Sequence, residues 1–598
     1  MKRHSGSTSP RLRQALRTAL VLVCVLFALV ITLPAQTQTL TVLHNFAGLP
    51  ADGAKPTGGL LFDPAGNLYG VTSNGGATDS GTVFKLDPNG TESLLHSFGG
   101  PPDGNLPSAG LARDAAGNLY GVTSNGGSSI ACPFLIGCGI VFKLDPAGTE
   151  TVLHRFGSNG PDGTGPLGRL ILDSSLNLFG TTQMGRHAGC KIFIGKNLVD
   201  VGCGTVFKVD ATGNETIVYS FINATDGAFP RAGLTQDASG NLFGTASTGG
   251  VMNCTALFGK CGTVFKVDTT GLFSMLYSFQ GASTGPDGAT PLSSLLLDAS
   301  GNLLGTTNAG GTGTPCSVGF ACGTIFQVTP AGKETLLHSF GPGDGAAMPT
   351  AGLVQDAAGN FYGLSSGNVF KLDSTGKESV LFTFTGNDNL ASGELVQDAA
   401  GNLYGTTPNG TSGFGSVFKL TTPPDFAMPA FTLTPATVAP GSPASANLNL
   451  IAVSGFTDTV TLACSVSPTP AKAPQCSVPA SATPGTQVTV SVTTTGPSAN
   501  LVSNSGTAFS YALWLPLLGL VGVGSRFGTK QRRIASLLLS CVLLAGVMFQ
   551  VACGGGSSGT GGGNSGTPAG AYTITMTGTS SAATGSLVRS TSTTLQVQ

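Results

Sequence analysis

Charge is scarce in this chain. Asp, Glu, Lys and Arg make up 10% of 598 residues, and 28 basic side chains nearly balance 29 acidic ones for a net charge of -1. Phosphate backbones are held by clustered basic surface, so nucleic acid is excluded as an expected partner. Tryptophan occurs once and histidine six times. His44, His96, His154 and His338 fill one recurring strand position and are expected to pack or hydrogen-bond, not to act as acids or bases. His4 precedes an apolar leader, and His187 stands alone in an insertion. There is no G-x-S-x-G elbow, H-E-x-x-H helix or P-loop, so no catalytic residue, metal or cofactor is expected from motifs. A carboxylate pair assembled from distant segments, as a glycosidase or lyase needs, remains open.

What the chain has is glycine, 90 of 598 residues, spread through alternating apolar segments as tight turns between short strands require. The length calls for several cores or a repeat array. Residues 1–35 read as an export signal: Lys2, Arg3, Arg11, Arg13 and Arg17 precede an apolar run at 18–33, then Pro34-Ala35-Gln36. Cleavage is expected after Ala35; the alternative is an uncleaved signal anchor. Either way the remainder lies outside the cytoplasm, where cysteines oxidise. Ten of the thirteen cysteines fall into local pairs, Cys132/Cys138, Cys190/Cys203, Cys254/Cys261, Cys316/Cys322 and Cys464/Cys476. Connectivity does not follow from sequence, yet one close pair per unit is hard to explain unless each pair closes its own loop.

The stretch 61–98, LFDPAGNLYGVTSNGGATDSGTVFKLDPNGTESLLHSF, recurs. Its first signature, D-x-x-x-N-[LF]-[YFL]-G, begins at Asp63, Asp114, Asp173, Asp237, Asp298, Asp356 and Asp398. Its second, G-x-[VI]-F-[KQ]-[LV], begins at Gly81, Gly139, Gly204, Gly262, Gly323, Gly367 and Gly415. Each unit reads as four short antiparallel strands, GLLFD, LYGVTS, TVFKLD and ESLLHSF, joined by Asp- and Gly-containing turns. Such a sheet cannot bury both faces alone and must stack on its neighbours. The fourth-strand pattern also appears at 40–46 (LTVLHNF), ahead of every other strand, while the last unit ends at GSVFKL without one. The simplest repair places the N-terminal strand in the last sheet. This predicts a seven-bladed β-propeller over 36–422, closed so that no edge is left to aggregate; a β-solenoid is the runner-up.

LYGVTSNGG followed by GTVFKL and LLHSF resembles the tandem repeat named after Gloeobacter and Verrucomicrobia, the GloVer repeat of "choice-of-anchor" bacterial surface proteins, over about residues 40–420. The resemblance implies an exported repeat protein with a variable attachment module and carries over no catalytic residue. Repeat three departs from it with Leu176 where the others have Gly, and repeat six has a shortened loop, SSGN.

Antiparallel order puts the tight turns on one face, and the loops between strands two and three with the inter-unit links on the other. The second face is the candidate binding surface. Two features collect there. The cysteine loops of units two to five carry apolar tips (Phe134, Leu135, Ile136; Leu257, Phe258), as staples worth roughly 2 to 3 kcal/mol each or as a rigid rim around a ligand. A repeated Asp, usually Asp-Gly, stands at Asp52, Asp103, Asp162, Asp226, Asp287, Asp344 and Asp388. Near one axis these carboxylates would suit a cation or sugar hydroxyls; the plainer reading is turn chemistry between blades.

Residues 423–430 read as a linker. Alternating segments at 431–500 and 571–598 resemble the two parts of one immunoglobulin-like β-sandwich. Between them, 509–552 contains two apolar runs flanking Arg526, Lys530, Arg532 and Arg533 with no acidic residue, which predicts a transmembrane helical hairpin with a cytoplasmic loop. The Gly-rich 553–570 then returns the tail to its sandwich. A lipid-attachment box on Cys553 is the rival reading. The expected fold class is therefore all-β: a propeller closed by its N-terminal strand, then a sandwich interrupted by the hairpin. The expected function is a membrane-anchored surface propeller binding glycan, polymer or protein through its variable-loop face. A carbohydrate lyase or hydrolase using carboxylates there is the alternative, and a structural spacer is a third.

Overall fold

The computed structural model describes residues 38–497 and 566–598, apart from short stretches at 128–136, 158–161, 186–188, 195, 223–224, 251–260, 282–286, 313–321, 342–343, 345–346, 386–391, 423 and 583–584. The signal segment, the apolar runs at 509–552, Asp388, His187, Cys132, Cys254, Cys316 and the apolar loop tips lie outside the described residues. Every named element is a strand, and no helix among the described residues is long and apolar enough to cross a membrane.

Up to Thr421 the described strands form seven antiparallel sheets, each with a four-strand main path, together with a separate two-stranded hairpin, Lys191–Ile194 with Asn197–Asp200. The first sheet runs Gly53–Phe62, Leu68–Gly75, Thr82–Leu86 and Glu92–Ser97. In the seventh, Ser392–Gln397, Leu403–Thr407 and Ser416–Thr421 are completed by Thr39–Asn45 from the start of the chain. This strand is antiparallel to Ser416–Thr421 with Leu40 opposite Leu420 and Asn45 opposite Ser416. It bulges between Val42 and His44, as the equivalent strand of the second sheet does between Val152 and His154. The innermost strand is more broken than the apolar pattern GLLFD suggests. In the second sheet it is split into Gly104–Pro107 and Ala112–Arg113, both paired with Leu119–Gly126. At the break backbones of adjacent sheets crowd together: a Cβ on Gly110 would lie 2.8 Å from the Gly59 carbonyl oxygen.

Phenylalanine joins each sheet to the next. Phe46–Phe84, Phe98–Phe142, Phe156–Phe207, Phe221–Phe265, Phe279–Phe326, Phe340–Phe370 and Phe384–Phe418 are edge-to-face pairs with centroids 5.0 to 5.2 Å apart. Each takes one ring from the residue that directly follows a fourth strand and one from the third strand of the following sheet, and the series returns to its start, giving a propeller-like ring. The rings are fully buried or nearly so. This arrangement explains the glycine of the first signature. A Cβ on Gly70 would meet Phe84 Cζ at 2.5 Å and Leu60 Cδ2 at 2.9 Å, and Gly180 faces Phe207 and Leu170 in the same way.

The Asp of that signature is a turn cap. Asp63 Oδ1 accepts the backbone N–H groups of Ala65 and Asn67, while Oδ2 accepts from the Asn67 amide and the Tyr69 hydroxyl. These bonds hold its carboxyl below the ordinary range against the opposing effect of desolvation. Leu176 sits at the turn position where the others have Gly, with φ 62°.

Beyond the ring, strands Thr437–Val438, Gly585–Val597, Gly570–Ala582, Val460–Ser467 and Ser481–Ala482 make one sheet, and Ala444–Asn449, Gln487–Thr493 and Gln475–Ser477 another. They enclose a shared core that includes Leu448, Val460, Val490, Ile574 and Leu595. The tail therefore packs with the segment before the undescribed stretch, Thr461 to Ser467 pairing with Thr579 to Thr573. This unit rests on the turn face of the ring, where Ser454 approaches the Gly401 turn and hydrogen-bonds Thr422; within the unit, Arg589 pairs with Asp425 of strand Asp425–Ala427, which lies alongside Ile451–Val453. Disulfides join Cys190 to Cys203 and Cys464 to Cys476. Cys138, Cys261 and Cys322 are also disulfide-bonded.

Candidate functional site

The links between sheets place the repeated Asp residues. Each link leaves a fourth strand and turns back to the inner strand of the next sheet, and its Asp closes that turn. Asp52 accepts from the N–H groups of Ala47 and Gly53 at 2.7 and 2.6 Å. Asp103 accepts from Gly99 and Gly104 in the same way. The six described carboxylates do not converge. Each instead faces the histidine or tyrosine of the preceding fourth strand: His44 at 3.4 Å from Asp52, His154 at 3.2 Å from Asp162, and His338 at 3.4 Å from Asp344. Tyr219 and Tyr277 donate their hydroxyls to Asp226 and Asp287, and burial together with these carboxylates raises both phenols. Each of the six accepts from a backbone N–H of its own link, and none is among the residues lining the axis.

A third group joins these pairs from the neighbouring sheet. The first residue of the following fourth strand is usually Glu. Burial raises the carboxyl of Glu92, with Asp52 adding to the effect; Glu334 is pushed up to about 7 by burial and then by Asp287. Where this Glu is replaced by Phe273, the opposing side chain is Tyr219 and the rings stack at 4.2 Å. Because these partners stand far apart in sequence, the alternation of each strand did not reveal them.

The axis holds the other candidate site. Residues of the innermost segments of all seven sheets, among them Leu61, Arg113, Arg169, Leu234, Leu296, Gln355 and Gln397, line a cavity of about 690 Å³, and a narrower space of about 110 Å³ adjoins it at Arg169, Ser294, Gly352 and Glu394. The position just before the buried inner-strand leucine is Gly59, Gly110, Arg169, Gly233, Ser294, Gly352 or Glu394. Five of these side chains are small or absent, and the two long ones carry opposite charge into the narrow part, beside Arg231. Glu394 leans over Gly352, whose added Cβ would lie 3.0 Å from Glu394 Oε1. The signal was present in the sequence as two departures from a small-residue column, but it stands out only once that column is known to face the axis.

A fourth strand supplied from the chain's opposite end, seven cyclically joined sheets and seven copies of both signatures point to one repeat family, whose pattern matches residues 28–258 and 196–388. The chain belongs to the Gloeobacter/Verrucomicrobia repeat family. No curated protein matches it. Solved structures similar to this family member include virginiamycin B lyase from Staphylococcus aureus, at 12% identity over 64% of this chain and 100% of that one, TM-score 0.41. A PL25 ulvan lyase is similar at 12% identity over 69% and 96%, TM-score 0.35. PhoX from Pseudomonas fluorescens is similar at 11% over 64% and 95%, TM-score 0.33.

Proposed function

We propose that this repeat protein is an exported seven-bladed β-propeller with an immunoglobulin-like module, held at a membrane by the apolar hairpin at 509–552, and that it binds a glycan, polymer or protein on its variable-loop face. The observation carrying the binding reading is the use made of the repeated carboxylates. All six described Asp side chains close their own links, and Glu394 is the single carboxylate among the described residues lining the axis. A hydrolase or lyase built on paired carboxylates lacks its second member there, whereas Arg169, Arg231 and Glu394 around a narrow polar mouth suit recognition. The leader at 1–35 and the disulfides favour an oxidising compartment.

Screening the purified protein on a glycan array and against acidic and neutral polysaccharides tests this reading. Retention without turnover, weakened by Arg231→Ala, is expected; release of shortened products would move the protein to the enzymatic class. For the anchor, a cysteine engineered beside Lys530 should resist an impermeant thiol reagent in intact cells.

A further inference from the structure

We propose that His96, Asp103 and Glu150 form a binding site for one first-row divalent cation, of the zinc or manganese type, that ties two neighbouring sheets together. His96 lies near the end of strand Glu92–Ser97 in the first sheet, Asp103 in the following link, and Glu150 opens strand Glu150–Arg155 of the second. The imidazole Nε2 stands 3.9 Å from Asp103 Oδ2 and 3.9 Å from Glu150 Oε2. One donor atom from each of the three lies within 4.8 Å of the others, and among the described residues this is the only such group of three. Donors bound at about 2.0–2.2 Å from a common ion stand roughly 3 to 4.3 Å apart, so closing on a cation needs movements of less than about 1 Å.

The sister links act as internal comparisons. In three of them the imidazole stands 3.2 to 3.4 Å from its own Asp; at His96 it is drawn back to a point equidistant from two carboxylates. His96 Nε2 is buried and has no hydrogen-bond partner, a costly state for a polar atom that coordination relieves. His44 and His338 share the unpartnered nitrogen but lack a third converging donor. The ligands are also pre-set. Asp103 is held by the Gly99 and Gly104 N–H groups, and the His96 ring packs edge-on against Phe98 at 4.8 Å. One neutral imidazole with two carboxylates is a hard-to-borderline set that suits such ions better than Cu(I). With the His96 and Asp103 side chains 18% and 26% exposed, water can complete the shell.

The test is titration of the chelator-treated, dialysed full chain with Co²⁺ and Zn²⁺. One Co²⁺ per chain should give visible d–d absorption, displaced by Zn²⁺, and Zn²⁺ should raise the melting temperature. His96→Asn and Glu150→Gln should each weaken binding at least tenfold, while His154→Asn in a sister link leaves it unchanged. Glu150→Gln preserves shape and decides the matter should His96→Asn fold poorly. Absence of Co²⁺ absorption and of a Zn²⁺-induced melting shift overturns the proposal, as does binding that survives both substitutions.

Discussion

Truncating Phe46 to Ala tests whether the chain's first strand seals the ring. Phe46 is 0% exposed and sits in one cluster with Leu60, Leu68, Phe84 and Leu86 of the first sheet and Tyr404 and Val417 of the seventh. Removing such a ring from a core costs about 3–5 kcal/mol. Of this, the edge-to-face contact with Phe84, at 5.1 Å and 68°, contributes about 0.5–1.5 kcal/mol. Denaturant unfolding of the purified chain should show that loss, and a double-mutant cycle with Phe84→Leu should return a coupling of about 1 kcal/mol. Phe384→Ala, at the joint on the other side of the same sheet, should match it. A loss below about 1 kcal/mol for Phe46→Ala, the range of an exposed site, would mean that the N-terminal strand is not docked and the ring reasoning fails.

Leu176 adopts φ 62° with its side chain 42% exposed, so Leu176→Gly should stabilise by about 1 kcal/mol; a neutral or destabilising effect in thermal melts contradicts this. Gly180→Ala should destabilise by about 1–3 kcal/mol through overpacking, because the new methyl would sit 2.6 Å from Phe207 Cζ, and unchanged stability would show that the Phe array is loose. Glu334, pushed up to about 7 by burial and by Asp287, keeps its proton in the folded protein until the pH nears 7, whereas the unfolded chain releases it near the ordinary Glu value. Its contribution is full below about pH 4.5 and is lost as pH rises through about 7. Discounted for partial exposure, Glu334→Gln should gain about 1 kcal/mol on the parent between pH 5 and 8, and parallel pH profiles would refute the assignment.

The local chemistry was legible in the residues. D-x-x-x-N read as a turn because every bond Asp63 makes to backbone or Asn67 is within four positions. The displaced strand at 40–46 read as a closing strand because it repeats a pattern missing at the other end. What the sequence did not disclose are contacts made between strands and across sheets. The glycine in LYGVT is set by a phenylalanine directly opposite it on the next strand and a leucine on the strand at its other side. Glu150 meets His96 only because adjacent fourth strands lean together. Arg169 and Glu394, 225 positions apart in number, share the axis only through the curvature of the whole ring.

The pairing of Thr39–Asn45 with Ser416–Thr421 also has a temporal meaning. The strand made first finds its partner only after nearly the whole repeat array has been synthesised, so until then two unsatisfied edges coexist on one chain. Closure therefore works as a completeness check. A chain truncated before the last repeat keeps open edges for chaperones and proteases to recognise, and only a finished array hides them.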